Sequence, residues 1–568
     1  MSNDLDSIIL KHALKNAFDY GKASPGSIAG KVIGEAPDAK ADMKSLMKKI
    51  SEIAAKVNSY SKDGLAREMG NFKYEMKVEK EKTISLPDAV EGKVVTRFPP
   101  EPNGFPHIGH AKAAWLDYEA ARIYNGKFIM RFDDTNPEKE KQEYADAILY
   151  WLKWLGIPTG APIFASDFMP QIIGYADKLV ESGDAYVCQC APETTKQLRF
   201  EGKECPCRQN PVGKNAELWS QLKGGSLARG TASLRIKADM QSQNTAMRDP
   251  SIFRSVTAPH YRQGEKYKAW PLYDFQAPIL DSLNGVTHAM RTKEYELRDE
   301  LYYYIISKLK LQKPLLVEFS RLSIKNAPIS KRALAPLIAE NKVMGWDDPR
   351  LPTLAGLCRR GIKPEAIKSF VLSFGISKVE SEPGWDALLN ENRKIIEPVA
   401  KHFYFVPKPV LLVIKGAPKA RVSMPMHPRD KELGTREIDV HEEFYVPGAD
   451  AEKVAVGEMA RLKGHCNFRV LSKSDSGIVA EYGGFDTLPP LKVQWAAKES
   501  AVKCDVLRPL DLFNGEAFNP DSLETISGYV EGPAAGLAKT EPVQFERFGY
   551  CAFDGNDKGT ARFIFISQ

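Results

Sequence analysis

The sequence predicts a multidomain α/β protein with a strand-rich C-terminal tail, on three observations. A strand, loop, helix, strand pattern occupies residues 93–134. Residues 1 to about 90 read as helical. Short strand patterns parted by turn residues recur beyond residue 400. At 568 residues the chain also exceeds what one hydrophobic core serves. The balance of 79 basic against 73 acidic residues, a net of +6, is too thin to name a polyanionic partner. No stretch approaches the roughly 20 apolar residues of a membrane span. Met1–Lys15 is polar and mixed in charge, so no membrane association and a cytoplasmic protein are expected.

The N-terminal helices follow from Ile8, Leu14 and Ala17, then Leu46, Ile50, Ile53 and Val57, at three- and four-residue spacing. Pro25-Gly26 breaks the pattern, and Ser85–Gly92 reads as a linker. The segment is a helical surface module or, given its lysines, a nucleic-acid-contacting appendage. Lys93–Phe98 and Lys127–Phe132 are strand patterns; His110–Tyr124 between them places Ala113, Leu116, Ala120 and Ile123 on one helical face. Together they make a βαβ unit with a right-handed crossover. Tyr144–Leu155 is a further amphipathic helix, α/β patterns resume over 267–316, and 340–401 looks helical. The tail strands are Val410–Ile414, Phe468–Leu471, Ile478–Tyr482, Lys492–Ala496, Ala501–Val506, Gln544–Ala552 and Arg562–Ile566, with a turn at Gly555-Asn556-Asp557. One or two β-barrels would accommodate them.

Pro106-His107-Ile108-Gly109-His110 lies where the first strand turns into the first helix. That edge of a parallel sheet binds ligands, and a helix N-terminus attracts phosphate. Two imidazoles three residues apart reach one site, and Gly109 lets a flat ring approach the backbone. Cys188, Cys190, Cys205 and Cys207 form a C-X-C, fourteen-residue, C-X-C pattern, which suits a tetrahedral structural zinc in a reducing compartment. A ribbon that folds without metal is the alternative.

The order and spacing of four motifs resemble class I aminoacyl-tRNA synthetases of the glutamyl/glutaminyl subgroup. They are Arg97-Phe98-Pro99-Pro100-Glu101-Pro102-Asn103-Gly104, His107-Ile108-Gly109-His110, Arg131-Phe132-Asp133-Asp134-Thr135-Asn136, and Ser320-Arg321-Leu322 followed by Ile329-Ser330-Lys331-Arg332. The last departs from the full pattern: Pro328 stands where a first lysine is usual. The resemblance implies a class I Rossmann-like catalytic domain in two halves, 91–185 and 267–335, around an acceptor-end-binding insert at 186–266. It also implies a helical extension at 1–90, a helical connector at 336–402 and anticodon-binding β-barrels at 403–568, as in the archaeal and eukaryotic lineage.

The same resemblance implies ATP-dependent ligation of L-glutamate to tRNA(Glu), with Mg²⁺ accompanying ATP and a monomeric enzyme; tRNA(Gln) as a second substrate stays open. His107, His110 and Lys331 would be catalytic, facing the phosphates. Asn103, Gly109, Arg321, Leu322, Ile329 and Ser330 would complete the ATP site. Arg97, Glu101, Asp133, Tyr273 and Arg291 would contact substrate. Arg291 decides glutamate over glutamine, because its fork matches a γ-carboxylate. Facing a neutral amide it would be a buried charge without an anion, at a cost of about 3–5 kcal/mol. A glutaminyl enzyme and a non-catalytic, synthetase-derived RNA-binding protein are the alternatives.

Overall fold

The computed structural model describes residues 2–20, 22–60, 62–69, 72 and 84–568. The chain divides into two compact units, 1–83 and 84–568. In the first, α1 (Ser2–Tyr20), α2 (Pro25–Glu35) and α3 (Met43–Asn58) bury Ile9, Leu14, Ile28, Val32, Leu46 and Ile50 against one another. Pro25 opens α2 at a position where a missing N–H costs nothing. A short helix, α4 (Lys62–Met69), follows. Among the described residues, no helix is long and apolar enough to cross a membrane.

The expected linker at Ser85–Gly92 forms neither helix nor strand, yet part of it is packed. Leu86 is buried with Leu116 and Met290, its N–H donates to the Tyr124 hydroxyl, and the Pro87 carbonyl meets His288 Nε2. The segment therefore seals the catalytic core.

In the second unit β1 (Val95–Phe98) pairs in parallel with β2 (Lys127–Phe132), and β2 with β3 (Ile163–Phe164). The crossover from β1 to β2 runs through α5 (Ile108–Ile123); α6 (Gln142–Trp154) and α7 (Met169–Glu181) follow. The insert is a four-stranded antiparallel sheet: β4 (Ala185–Cys188), β5 (Ser233–Ile236), β6 (Ser251–Ser255) and β7 (Ala269–Pro271). It carries α8 (Pro192–Glu201) and α9 (Val212–Gly224). Its last strand is Ala269–Pro271, so these residues, expected in the second catalytic half, pair with the insert instead.

Then come α10 (Tyr273–Leu283), β8 (His288–Thr292), α11 (Asp299–Leu309) and β9 (Leu315–Phe319), with β8 parallel to β9. β1 and the segment entering β8 are tied where Thr287 N–H donates to the Val95 carbonyl and Val95 N–H to Thr287 Oγ1. The parallel strands thus run β3-β2-β1-β8-β9. The order reverses between β1 and β8, and ligands bind at the carboxyl edge of such a reversal.

The connector is helical only in pieces: α12 (Lys331–Ala339), α13 (Leu354–Arg359), α14 (Pro364–Leu372) and α15 (Trp385–Ile396). It packs into the catalytic core with Phe98, Ile108, Trp115 and Phe132, and Tyr550, Ala552 and Ile566 of the tail join the same cluster. Gly361 marks the closest approach. A Cβ there would lie 2.6 Å from the Ala552 Cβ, and its φ of +86° already favours glycine.

The tail forms two seven-stranded, barrel-like sheets that are not consecutive in the chain. Lys401–Phe403 pairs with Pro542–Phe545, and Phe405–Pro407 with Leu523–Val530, so the first two tail strands border the last sheet. The other sheet, within 409–497, is built in between. A separate hairpin, Ala420–Pro425 with Thr435–Val440, is tied to the last sheet's border by a buried ion pair between Arg436 and Glu531. Lys492–Ala496 is split into Lys492–Val493 and Ala496–Ala497, and Gln544–Ala552 into Pro542–Phe545 and Gly549–Asp557. The turn expected at Gly555–Asp557 sits at Lys558-Gly559; a bulge near Gly555 carries the strand further.

Candidate active site

The site forms on the loops that leave β1 and β2. Pro99–Pro106 cannot be regular structure, and its backbone is anchored at several points. Pro100 and Pro102 carbonyls accept from Asp133 and Lys141 N–H, and the Pro106 carbonyl accepts from Leu354. Ile108 N–H donates to the Pro352 carbonyl.

His107 caps α5. Its Nδ1 accepts the Gly109 N–H at 3.1 Å, and its own N–H donates to His110 Nδ1 at 3.3 Å. The ring centroids are 4.0 Å apart. Burial holds both below the ordinary imidazole range, His110 at about 4; His110 and Arg321 lower His107 further. Both rings are therefore neutral near pH 7. Since each Nδ1 accepts, each Nε2 carries the proton and is a donor for an anion beyond the helix N-terminus. Gly109 fits tightly beside this cap. A Cβ would meet the His107 ring at 3.0 Å and the Leu322 carbonyl at 3.4 Å, so its open space is taken by protein first.

Ser330 caps α12, its Oγ accepting the Ala333 N–H. Lys331 Nζ lies 2.9 Å from the Asn103 carbonyl and 3.1 Å from the Tyr144 hydroxyl. The two distant motifs thus meet where Lys331 touches the Asn103 backbone. Leu322 is buried, Ile329 packs on the catalytic core, and Arg321 is exposed and paired with Glu294.

A cavity of about 300 Å³ opens beside the loops; Glu101, Asp133, Glu140, Arg254 and Tyr273 are among its walls. Arg131 Nε donates to Asp133 Oδ1 at 2.8 Å, while Asp133 Oδ2 is buried without a partner. Burial raises the Asp133 carboxyl against the pull of Arg131. Tyr273 packs on Tyr295, ring centroids 4.8 Å apart. Asn136 donates to Glu101 at 3.0 Å and accepts from Arg254 at 2.7 Å.

Two of the expected substrate contacts rest on protein partners in this structure. Arg97, read as a substrate contact, is 1% exposed; it forks onto Asp281 and donates to the Met290 carbonyl. Asp281 also binds Arg131 at 2.8 Å and the Tyr302 hydroxyl at 2.9 Å. Arg97 holds β1 to the second half and does not line the cavity. Arg291 does not line it either. It pairs with Asp299 and donates to the Tyr295 carbonyl at 3.4 Å, with Nε buried and unpartnered. Asp299 supplies the anion that balances this guanidinium.

The cysteine sulfurs all lie within 4.8 Å of one another, with 3.8 Å between Cys188 and Cys205 and 3.7 Å between Cys190 and Cys207. Tetrahedral thiolates at about 2.3 Å from zinc would stand about 3.8 Å apart, so the donor set fits. Cys205, then the Cys190 backbone and Arg235, draw the Cys188 thiol down to about 7, against burial. A larger cavity of about 860 Å³ lies beside Cys188 and Cys190 in the insert, and Arg254 borders both spaces.

Arg254, Glu140 and Tyr295 were missed because only the folded chain brings them to the wall. Glu140 carried a signal, standing four residues after Asn136, whose N–H it accepts at 2.8 Å.

Comparison with known proteins places this geometry. Residues 93–398 match the catalytic-domain model of class I tRNA synthetases (E and Q), and residues 400–485 and 492–554 match its two anticodon-binding-domain models. A glutamate-tRNA ligase from Nitrosopumilus maritimus is 42% identical over 98% of this chain and 99% of its own. Those from Korarchaeum cryptofilum and Pyrococcus abyssi are each 37% identical, over 98% and 97% of both chains respectively. With matches of this extent, the chain belongs to the class I glutamyl and glutaminyl tRNA synthetase family.

Proposed function

We propose that the chain ligates L-glutamate to tRNA(Glu) in two steps. The glutamate α-carboxylate attacks the α-phosphorus of ATP, giving glutamyl-adenylate and pyrophosphate. The 3′-terminal adenosine of the tRNA then attacks the carbonyl and releases AMP. The observation that carries this reading is the meeting of Lys331 with the Asn103 carbonyl, on the loop that delivers His107 and His110. That contact joins Lys331 to the loop leading into the two histidines, and none of the three is a nucleophile in this reading. That suits displacement at phosphorus, in which catalysis is positioning plus charge stabilisation.

In this reading the Nε2–H groups of His107 and His110 and the Lys331 ammonium receive the phosphates, with Mg²⁺ accompanying ATP. Gly109, Arg321, Leu322, Ile329, Ser330 and Asn103 frame the nucleotide. Asp133 Oδ2 takes the α-ammonium, Tyr273 walls the side chain, and Glu101 stands towards the transfer step. Arg291 reaches the γ-carboxylate by exchanging Asp299 for it. The four cysteines would hold a structural zinc, which fastens β4 to the turn after α8. The insert takes the acceptor end and the tail the anticodon, in a cytoplasmic monomer.

Charging of purified tRNA(Glu) and tRNA(Gln) with each amino acid tests the proposal. Glutamyl-tRNA(Glu) is expected. Glutamine as the only amino acid accepted would replace the reading with a glutaminyl enzyme, and tRNA binding without charging would end it.

A further inference from the structure

A buried cluster lies on the seam between the insert and the first catalytic half. His260 comes from the loop between β6 and β7; Asp134 and Glu140 come from the segment after β2. All three side chains are 0% exposed. His260 Nδ1 accepts the N–H groups of Arg262 at 3.2 Å and Gln263 at 3.1 Å, so a neutral ring carries its proton on Nε2. That Nε2 turns to the Asp134 main chain, with Asp134 Oδ2 at 3.7 Å and Glu140 Oε2 at 3.5 Å, and reaches hydrogen-bond geometry with neither carboxylate. Glu140 Oε2 is likewise buried and unpartnered.

The two carboxyl groups differ. Asp134 accepts from Ser166 N–H and Oγ–H, both at 2.8 Å, and from the Tyr261 hydroxyl at 3.2 Å. An acceptor-only set belongs to an ionised carboxylate. Glu140 accepts one backbone N–H and faces Glu101 and Asp133 across the small cavity, with Arg254 as the cation there. Arg262, also facing Asp134, is paired with Asp167. Burial and then the Glu101 charge push Glu140 up to about 9, and burial pushes His260 down. Burial also raises Asp134, to about 7, but three donors favour its ionised form; Glu140, with one donor and an unpartnered Oε2, is the member that holds a proton.

Three carboxyl groups around so small a space are not all ionised without a further cation among them. An α-ammonium seated on Asp133 is such a cation. We propose that Glu140 is a proton-linked positioning residue. The arriving ammonium releases the Glu140 proton to solvent, and the ionised Oε2 then accepts the Nε2–H of His260, drawing the insert's loop onto the cavity wall. One O–H bond breaks, the proton leaves to buffer, and one hydrogen bond forms. Through Asn136 the same movement reaches Glu101 and Arg254. The inference rests on the proposed ammonium site at Asp133.

The test is calorimetric titration of the full chain, with tRNA bound, by glutamol adenylate, which carries the ammonium but no reactive carbonyl. Buffers of different ionisation enthalpy count the protons. The wild type is expected to release close to one proton at pH 7.5, and its affinity to rise by up to about tenfold from pH 7 to 8. Glu140→Gln should release almost none and lose that pH dependence. His260→Gln should keep the release but slow transfer to tRNA more than adenylate formation. Binding without proton release, or equal release by Glu140→Gln, overturns the inference while leaving the ammonium site standing. Failure of the analogue to bind the wild type removes both.

Discussion

Arg291 is paired with Asp299, eight residues further along the chain, rather than pointing into the cavity bordered by Tyr273 and Tyr295. Under the proposed role of Arg291 in glutamate selection, this internal anion changes how its loss should read. Arg291→Gln is expected to lower kcat/KM for glutamate by about 10²–10³, the scale of a broken buried charge pair. Asp299→Asn, which frees the guanidinium, should spare kcat and leave the KM for glutamate unchanged or lower. Steady-state charging of tRNA(Glu) measures both, and a larger loss in Asp299→Asn than in Arg291→Gln would contradict the exchange.

Lys331 touches the Asn103 carbonyl and the Tyr144 hydroxyl, and these contacts can be separated. Lys331→Ala should slow adenylate formation by about 10²–10³ in kcat, as expected for a lost donor to developing charge. Tyr144→Phe removes only a resting partner and should cost less than about tenfold. Single-turnover adenylate formation distinguishes them.

Asp281 binds Arg97 and Arg131 together at the centre of the split domain. Burial alone would raise its carboxyl; Arg97 and Arg131 outweigh this and hold it below the ordinary range. The sign follows. Its stabilisation is complete above an unfolded value of about 3.9 and fades as pH falls through the lower folded value. Asp281→Asn leaves two buried guanidinium groups short of an anion and should cost about 3–5 kcal/mol at pH 7. Urea unfolding at pH 7 and pH 3 should show that difference shrinking in acid.

Protein purified without chelator should carry about one zinc per chain if the four sulfurs are a metal site. Cys205→Ser should lower that several-fold and loosen α8 and the following turn, seen as faster hydrogen exchange over 192–209. Metal-free wild-type protein with unchanged exchange would leave the cysteines as packing residues.

Much of the site was legible because its parts are local. A capping histidine, a glycine beside it and a second histidine three residues on fix one another within a single turn. The four cysteines also met as their spacing suggested. Legibility ended where a partner comes from far along the chain. Arg97 looked free because Asp281 stands 184 residues away. Glu140 and His260 looked unrelated for the same reason. The strands of the tail were readable from alternation, but their pairing was not: period-two patterning fixes which face is buried, not which strand lies alongside.

The crossing of the tail has a consequence for how the enzyme is made. Phe403 pairs with Phe545, Arg393 reaches the Gln568 carbonyl 175 residues later, and Tyr550 and Ile566 fill the core beneath α14 and α15. At translation rates of about 5–20 residues per second, the connector helices emerge about 10–35 s before these partners exist. For that interval a catalytic module with every motif already synthesised exposes an unfinished apolar floor. In that interval the nascent chain carries an exposed apolar surface of the kind chaperones bind, and a ribosome stalled in the last strands leaves every motif present and the core unfinished.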